Sequence, residues 1–144
     1  MLTSIKSAIT GLFFTLAMLI AVGCGSGAGG EKTIKSIDSS DNKLTITLAN
    51  ASGELKSGDN ELVLSFTEKS SGKPVDIKAA SLVFHMPGMG AMAEMNDQAA
   101  LTTTDTPGRF RAHVTIEMAG TWEARIGYEG QIGSGQASFN VQAK

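Results

Sequence analysis

The sequence is poor in the residue types on which most enzymes and disulfide-stabilised proteins depend. Its 144 residues include one cysteine, Cys24, one tryptophan, Trp122, and two histidines, His85 and His113. A single cysteine cannot form a disulfide within the chain, so a folded domain must be stabilised by burial of apolar side chains. The sequence also lacks nucleophile–base pairs, phosphate-binding glycine loops and His–carboxylate clusters. We therefore predict that the protein is not an enzyme.

The sequence also has no excess of positively charged residues. The chain has 12 Lys and Arg against 14 Asp and Glu, for a formal net charge of −2. A protein that binds nucleic acid usually carries a basic patch or stripe. We therefore predict no nucleic-acid partner.

The one long apolar run lies at the N-terminus, over residues 8–22, and follows Lys6, the only charged side chain among the first thirty residues. It is shorter than the ~20 apolar residues of a membrane-spanning helix, and its order is typical of a secretory signal peptide. The residues at its end, Ala21 to Cys24, resemble the lipobox of bacterial lipoproteins, whose cysteine is acylated and becomes the first residue after cleavage. Acylation would account for a lone cysteine in an oxidising compartment. The alternative is an ordinary signal peptide with an incidental cysteine.

These features predict three segments. A lipoprotein signal peptide occupies residues 1–23, a lipidated Cys24 with a Gly/Ser-rich flexible tether occupies 24–40, and a folded domain occupies 41–144. The expected location is the cell envelope, with the protein bound to a membrane through its lipid on the extracytoplasmic side.

Apolar and polar residues alternate with a period of two along most of the domain, which is typical of half-buried strands. Clusters of Gly, Pro, Asp, Asn and Ser separate the alternating segments. A further strand is expected near residues 99–103. About seven short strands predict an all-β, immunoglobulin-like β-sandwich. The positions expected to face its core are Leu44, Ile46, Leu48, Leu62, Leu64, Phe66, Ala80, Leu82, Phe84, Phe110, Ala112, Val114, Ile116, Met118, Trp122, Ala124, Ile126, Tyr128, Ala137, Phe139 and Val141.

The segment from residue 85 to 95 departs from this pattern. Four methionines, Met86, Met89, Met92 and Met95, follow one another at intervals of three residues, next to His85. Thioether sulfur and imidazole are both suitable ligands for Cu(I). An extended or 3₁₀ backbone would place the four sulfurs roughly on one side. We therefore predict that these five residues supply a Cu(I) site of three or four ligands.

Other interpretations of the same residues are open. Methionine fills irregular gaps in cores and also forms adaptable partner surfaces, so the segment could pack one end of the sandwich or dock on a membrane complex without metal. A small apolar ligand at the sandwich mouth is a third alternative. His85 could be an ordinary half-exposed strand residue, and we interpret His113 as a solvated surface residue.

Five short motifs occur in a fixed order: G-x-N-x-L from Gly58, G-K-P-V from Gly72, M-P-G-M-G from Met86, P-G-R-F from Pro107 and M-A-G-T-W from Met118. Their order over residues 40–143 resembles the YtkA-like and FixH-like domain. The resemblance implies a β-sandwich in an exported or membrane-anchored protein, near copper export or haem–copper oxidase assembly. It implies a copper exporter or an oxidase-assembly protein as the partner.

Overall fold

The alternating segments form nine β-strands. The computed structural model describes residues 30–144. The strands are β1 Lys32–Asp38, β2 Leu44–Asn50, β3 Gly58–Glu68, β4 Ile77–Met86, β5 Met95–Gln98, β6 Ala100–Thr103, β7 Arg109–Ile116, β8 Gly120–Gly130 and β9 Gly133–Ala143. All pairs between them are antiparallel. The predicted all-β class is confirmed.

The strands form two sheets with one core between them. One sheet has the order β1-β2-β3-β7-β6 and the other the order β5-β4-β8-β9. Most of the positions predicted to face the core are buried, while Ala80, Met118 and Ala137 are partly buried against it. Trp122 is 0% exposed, and the Phe66 ring centroid lies 5.5 Å from that of Tyr128. The predicted sandwich is therefore confirmed, since both sheets contribute alternate side chains to one apolar layer.

Two strands, β1 and β5, were not predicted. Strand β1 begins at Lys32, within the segment assigned to the tether, and pairs with β2 through an irregularity between Thr33 and Lys35. Only Ile34 and Ile37 of β1 pack against the core. An edge strand that exposes most of its side chains carries no clear alternation, so the sequence pattern did not reveal it. Strand β5 has four residues, too few for an alternating pattern to stand out.

Two connections, one from β4 to β5 and one from β7 to β8, lie at the same end of the second sheet. Because β4 pairs with β8, the end of β4 lies beside the start of β8. The methionine-containing loop that follows β4, residues 87–94, therefore lies close to the short connection that precedes β8, residues 117–119. After β5, the chain crosses to the other sheet at Ala99, whose N–H donates to the Leu82 carbonyl at 2.9 Å.

The predicted signal peptide, Cys24 and the first part of the predicted tether lie outside the described residues. Within residues 30–144, no helix has the length and apolarity that crossing a membrane requires.

Candidate metal centre

Met86 is the last residue of β4 and points into the core. It follows the buried Leu82 and Phe84 at intervals of two and is 5% exposed. Its methyl carbon lies over Gly120, where an added Cβ would be 2.8 Å from Met86 Cε. Gly120 also has a φ of 147°, a conformation that side chains disfavour. The glycine of the M-A-G-T-W motif thus makes room for this thioether.

Met89 and Met92 flank a tight turn. The Met89 N–H donates to the Met92 carbonyl at 3.1 Å, and the Met92 N–H donates to the Met89 carbonyl at 2.9 Å. Gly90, the first of the two central residues, has a φ of 58°, which fits a two-residue turn with glycine in that place. The spacing of three predicted one extended or 3₁₀ stretch. The segment instead reverses direction at residues 90–91, so that prediction is wrong.

The two turn methionines are exposed. The exposed fraction is 64% for Met89 and 47% for Met92, which makes them two of the three large exposed apolar residues in the described part of the chain. Met95, in contrast, begins β5 opposite Met86 and packs partly against the core. Opposite residues of an antiparallel pair share a face, so Met95 lies on the inner side with Met86.

His85 lies on the other face of β4, because successive strand residues alternate between faces. Its Nδ1 is 2.9 Å from Asn96 Oδ1. An amide oxygen can only accept a hydrogen bond, so Nδ1 is the donor in this contact, and Nε2 takes no part in it. A metal-ligating histidine is usually oriented by such a bond from its second nitrogen.

Glu123 lies opposite His85 in the β4–β8 pair, but the Glu123 carboxylate forms an ion pair with Arg125. Arg125 Nε and Nη2 lie 2.8 and 2.7 Å from Glu123 Oε2. The Arg125 hydrogen bond is the main reason that the pKa of Glu123 is below its usual 4.5, and the charge of His85 contributes less. The carboxylate opposite His85 is therefore already paired with a cation.

Met118 lies in the connection between β7 and β8. The alternation of β7, extended to this position, predicted that Met118 faces the core. It is half-buried against the core. Its carbonyl accepts a hydrogen bond of 3.0 Å from Nε1 of the fully buried Trp122. The backbone at Met118 is thus tied to the core by the last residue of its own motif.

These two loops border one depression of about 550 Å³ at the end of the second sheet. It brings together three of the five predicted ligands, His85, Met86 and Met89, but Met92 and Met95 do not line it. Met118, which was predicted to be a core residue and not a ligand, does line it. The M-A-G-T-W motif was the one sequence feature that could have drawn attention to Met118.

The second histidine, His113, lies on β7 in the other sheet. Its side chain is 52% exposed, and its Nε2 is 3.8 Å from Glu61 Oε1, as expected of a surface residue. Residues 30–144 contain no group of three or more His, Cys, Asp or Glu side chains placed to hold a metal ion.

Two of the other motifs lie where strands begin, G-x-N-x-L at the start of β3 and P-G-R-F at the start of β7. Asn60 of G-x-N is buried, donates to the Lys56 and Gly58 carbonyls at 2.7 and 2.8 Å, and accepts from the Lys56 N–H at 3.0 Å. Gly108 of P-G-R-F has a φ of 66°, and a Cβ there would be 1.9 Å from the Val75 carbonyl oxygen. These residues are needed for the backbone to adopt this fold.

Residues 38–127, more than half of the chain, match the family model described as YtkA-like. The chain belongs to the YtkA-like family. No curated protein matches it in sequence. Among solved structures, a copper-bound variant of FetP from uropathogenic Escherichia coli is similar, with a TM-score of 0.48 and 8% identity over 78% of this chain and 97% of that one.

The depression of this YtkA-like domain offers soft donors. Thioethers and imidazole suit Cu(I), whereas Mg²⁺ and Ca²⁺ require oxygen ligands. The carboxylate that lines the depression, Glu123, is held by Arg125. The residues present therefore fit a soft monovalent ion better than a hard divalent one.

Proposed function

We propose that this YtkA-like protein is a lipid-anchored, extracytoplasmic protein that binds Cu(I) and assists copper handling or oxidase assembly. One observation carries the proposal: His85, Met86 and Met89 line one depression. His85 and Met86 lie on opposite faces at the end of β4, and Met89 lies in the turn that follows. The donors supplied there are those that Cu(I) prefers. The accessory role in copper handling rests on the family resemblance.

The proposed role is that of a carrier, without catalysis. A carrier must hold an ion and also release it to a partner. Met86 is buried, whereas Met89 is 64% exposed, so the proposed site has one protected sulfur and one that an incoming partner can reach. This combination supports transfer of the ion to a membrane-bound exporter or an oxidase-assembly protein.

The direct test is a titration of the full chain in detergent under reducing conditions, with Cu(I) delivered from a competing chelator. Every form should carry Cys24→Ser, which removes the one thiol of the chain, so that binding reports thioethers and imidazole. We expect one Cu(I) or Ag(I) per chain and a higher melting temperature with metal, because the ion binds the folded state. Zn(II) is the control and should bind far more weakly. Absence of Cu(I) binding would refute the proposal.

The anchor is tested separately in cells. The wild-type chain should incorporate labelled palmitate and fractionate with membranes. Cys24→Ser should lose the label and either leave the membrane or accumulate as the unprocessed precursor, since acyl chains supply the membrane affinity. If this variant is processed and stays on membranes as the wild type does, the lipoprotein assignment is wrong.

A metal-free interaction module is the second candidate, and the exposure of Met89 and Met92 favours it. The double substitution Met89→Leu with Met92→Leu keeps apolar area and similar volume but removes both sulfurs. Such swaps usually cost under about 1.5 kcal/mol of stability. Loss of Cu(I) binding in this variant would support the metal site. A native chain that binds no Cu(I), with cellular function retained in the variant, would support the docking module.

A further inference from the structure

Within residues 30–144, one methionine, Met118, lies outside the segment 85–95, and it lines the same depression as two methionines of that segment. Met118 precedes β8, while Met86 and Met89 belong to the end of β4 and its loop. All three line the depression, and Met92 and Met95 do not. The pairing of β4 with β8 brings the two loops together, so this grouping comes from the fold and not from the spacing of three.

From this placement we infer that Met118 is a sulfur ligand of the soft-metal site, together with Met86 and Met89. The inference rests on the proposed Cu(I) function and names the ligands that would perform it. The site is then built by two loops, and the Met-rich segment alone is not sufficient. Met92 and Met95 are not ligands.

Two of the three sulfurs belong to residues whose positions are already fixed. The Trp122 indole N–H holds the Met118 carbonyl at 3.0 Å, and Trp122 itself is 0% exposed. Met86 is packed over Gly120, two residues after Met118. A fixed backbone at Met118 and a packed side chain at Met86 reduce the conformational entropy that is lost when the ion binds.

The third sulfur belongs to a residue of a different kind. Within residues 30–144, the backbone of Met89 bonds to Met92 alone, across the turn, and its side chain is 64% exposed. It can therefore close over an ion that Met86 and Met118 hold. An ion bound in this way would link the β4–β5 loop to the connection between the two sheets.

The paired charges nearby agree with a site for a soft ion. Glu123 and Arg125 line the same depression and bind each other. With that carboxylate paired, the remaining lining side chains include three thioethers, the imidazole of His85 and the neutral oxygens of Thr121 and Asn140. A monovalent ion with soft ligands, such as Cu(I) or Ag(I), suits that donor set.

The test uses the full chain with Cys24→Ser in detergent, labelled with ¹³C at its methionine methyl groups, and Ag(I) as the probe. Single Met→Leu substitutions assign the methyl resonances. We expect those of Met86, Met89 and Met118 to shift in proportion to added Ag(I) up to one equivalent. The resonances of Met92 and Met95 should remain in place.

Affinity measurements on matched variants complete the test. Met118→Leu should weaken Ag(I) binding by about tenfold or more, because even loss of a group that merely orients a ligand costs about tenfold. Met92→Leu is the matched control and should change affinity by less than about twofold, the usual range for an exposed substitution. Melting temperatures without metal establish that both variants fold.

The outcomes separate the inference from the function on which it rests. If the chain binds no Ag(I) or Cu(I), the proposed function fails and the inference fails with it. If the chain binds Ag(I) but the Met118 resonance does not move, or Met92→Leu weakens binding as much as Met118→Leu, the function stands and this ligand set is wrong. Should Met118→Leu fail to fold, the methyl shifts of the Met118-containing chain still decide.

Discussion

The end of β4 and the turn that follows it contain the same residue type at the same spacing, in opposite environments. Met86, at the strand end, is 5% exposed, whereas Met89, three residues later, is 64% exposed. β8 pairs with β4 up to His85, and Gly120 at its start lies under the Met86 methyl. The backbone bonds of Met89 stay within its own turn. Identical side chains thus serve packing in one region and remain accessible in the other.

The sharpest way to break this comparison is to truncate one methionine from each region. Met86→Ala should lower the free energy of unfolding by about 2–5 kcal/mol, the usual cost of removing a buried methionine side chain. Met89→Ala should change it by less than about 0.5 kcal/mol, as exposed substitutions do. Urea unfolding of both variants without metal measures the difference. Equal costs for the two variants would mean that the turn also packs on the core.

A smaller effect is expected at Gly120, the residue beneath Met86. Gly120→Ala places a Cβ 2.8 Å from Met86 Cε, whereas Gly133, which also has positive φ, has nothing within 4 Å of such a Cβ. Gly120→Ala should therefore destabilise by about 1–3 kcal/mol more than Gly133→Ala, the typical cost of overpacking. Thermal unfolding of the two variants gives the comparison. A difference near zero would show that the Met86 side chain moves aside freely.

The smallest effect concerns the charges at the depression. Arg125 holds the pKa of Glu123 below 4.5. The pairing therefore contributes its full stability above pH 4.5, and this stability is lost as the pH falls through the lowered pKa of the folded state. Arg125→Gln should raise the pKa of Glu123 toward 4.5, and the variant should lose less stability on acidification from about pH 6 to pH 3. A ¹³C titration of the Glu123 carboxyl measures the shift. An unchanged pKa would assign the lowering to Ser138 and His85.

The core strands were predictable because their signal is local. Each of β2, β3, β4, β7, β8 and β9 alternates apolar and polar residues, and the same alternate positions lie in the core. Edge strands β1 and β5 were not predicted, because β1 exposes most of its side chains and β5 is short. Trp122 was placed correctly in the core because it shares the alternation of Ile126 in β8.

The candidate site was only partly predictable, for a related reason. His85, Met86 and Met89 stood out because they are adjacent in sequence and chemically unusual. Met92 and Met95 have the same spacing, yet they lie away from the depression, because the chain reverses at Gly90 and Ala91. A regular interval in sequence places side chains together only if the backbone is regular.

The sequence by itself determined the all-β class, the inward-facing residues and the thioether-rich chemistry of one loop, since each depends on residues within a few positions of one another. Only the tertiary structure decided which methionines share a depression. Met118 is 32 residues from Met86 in the chain, and the two meet at one depression because β4 and β8 pair across a long intervening segment. That pairing depends on burial of the whole core, which no local pattern encodes.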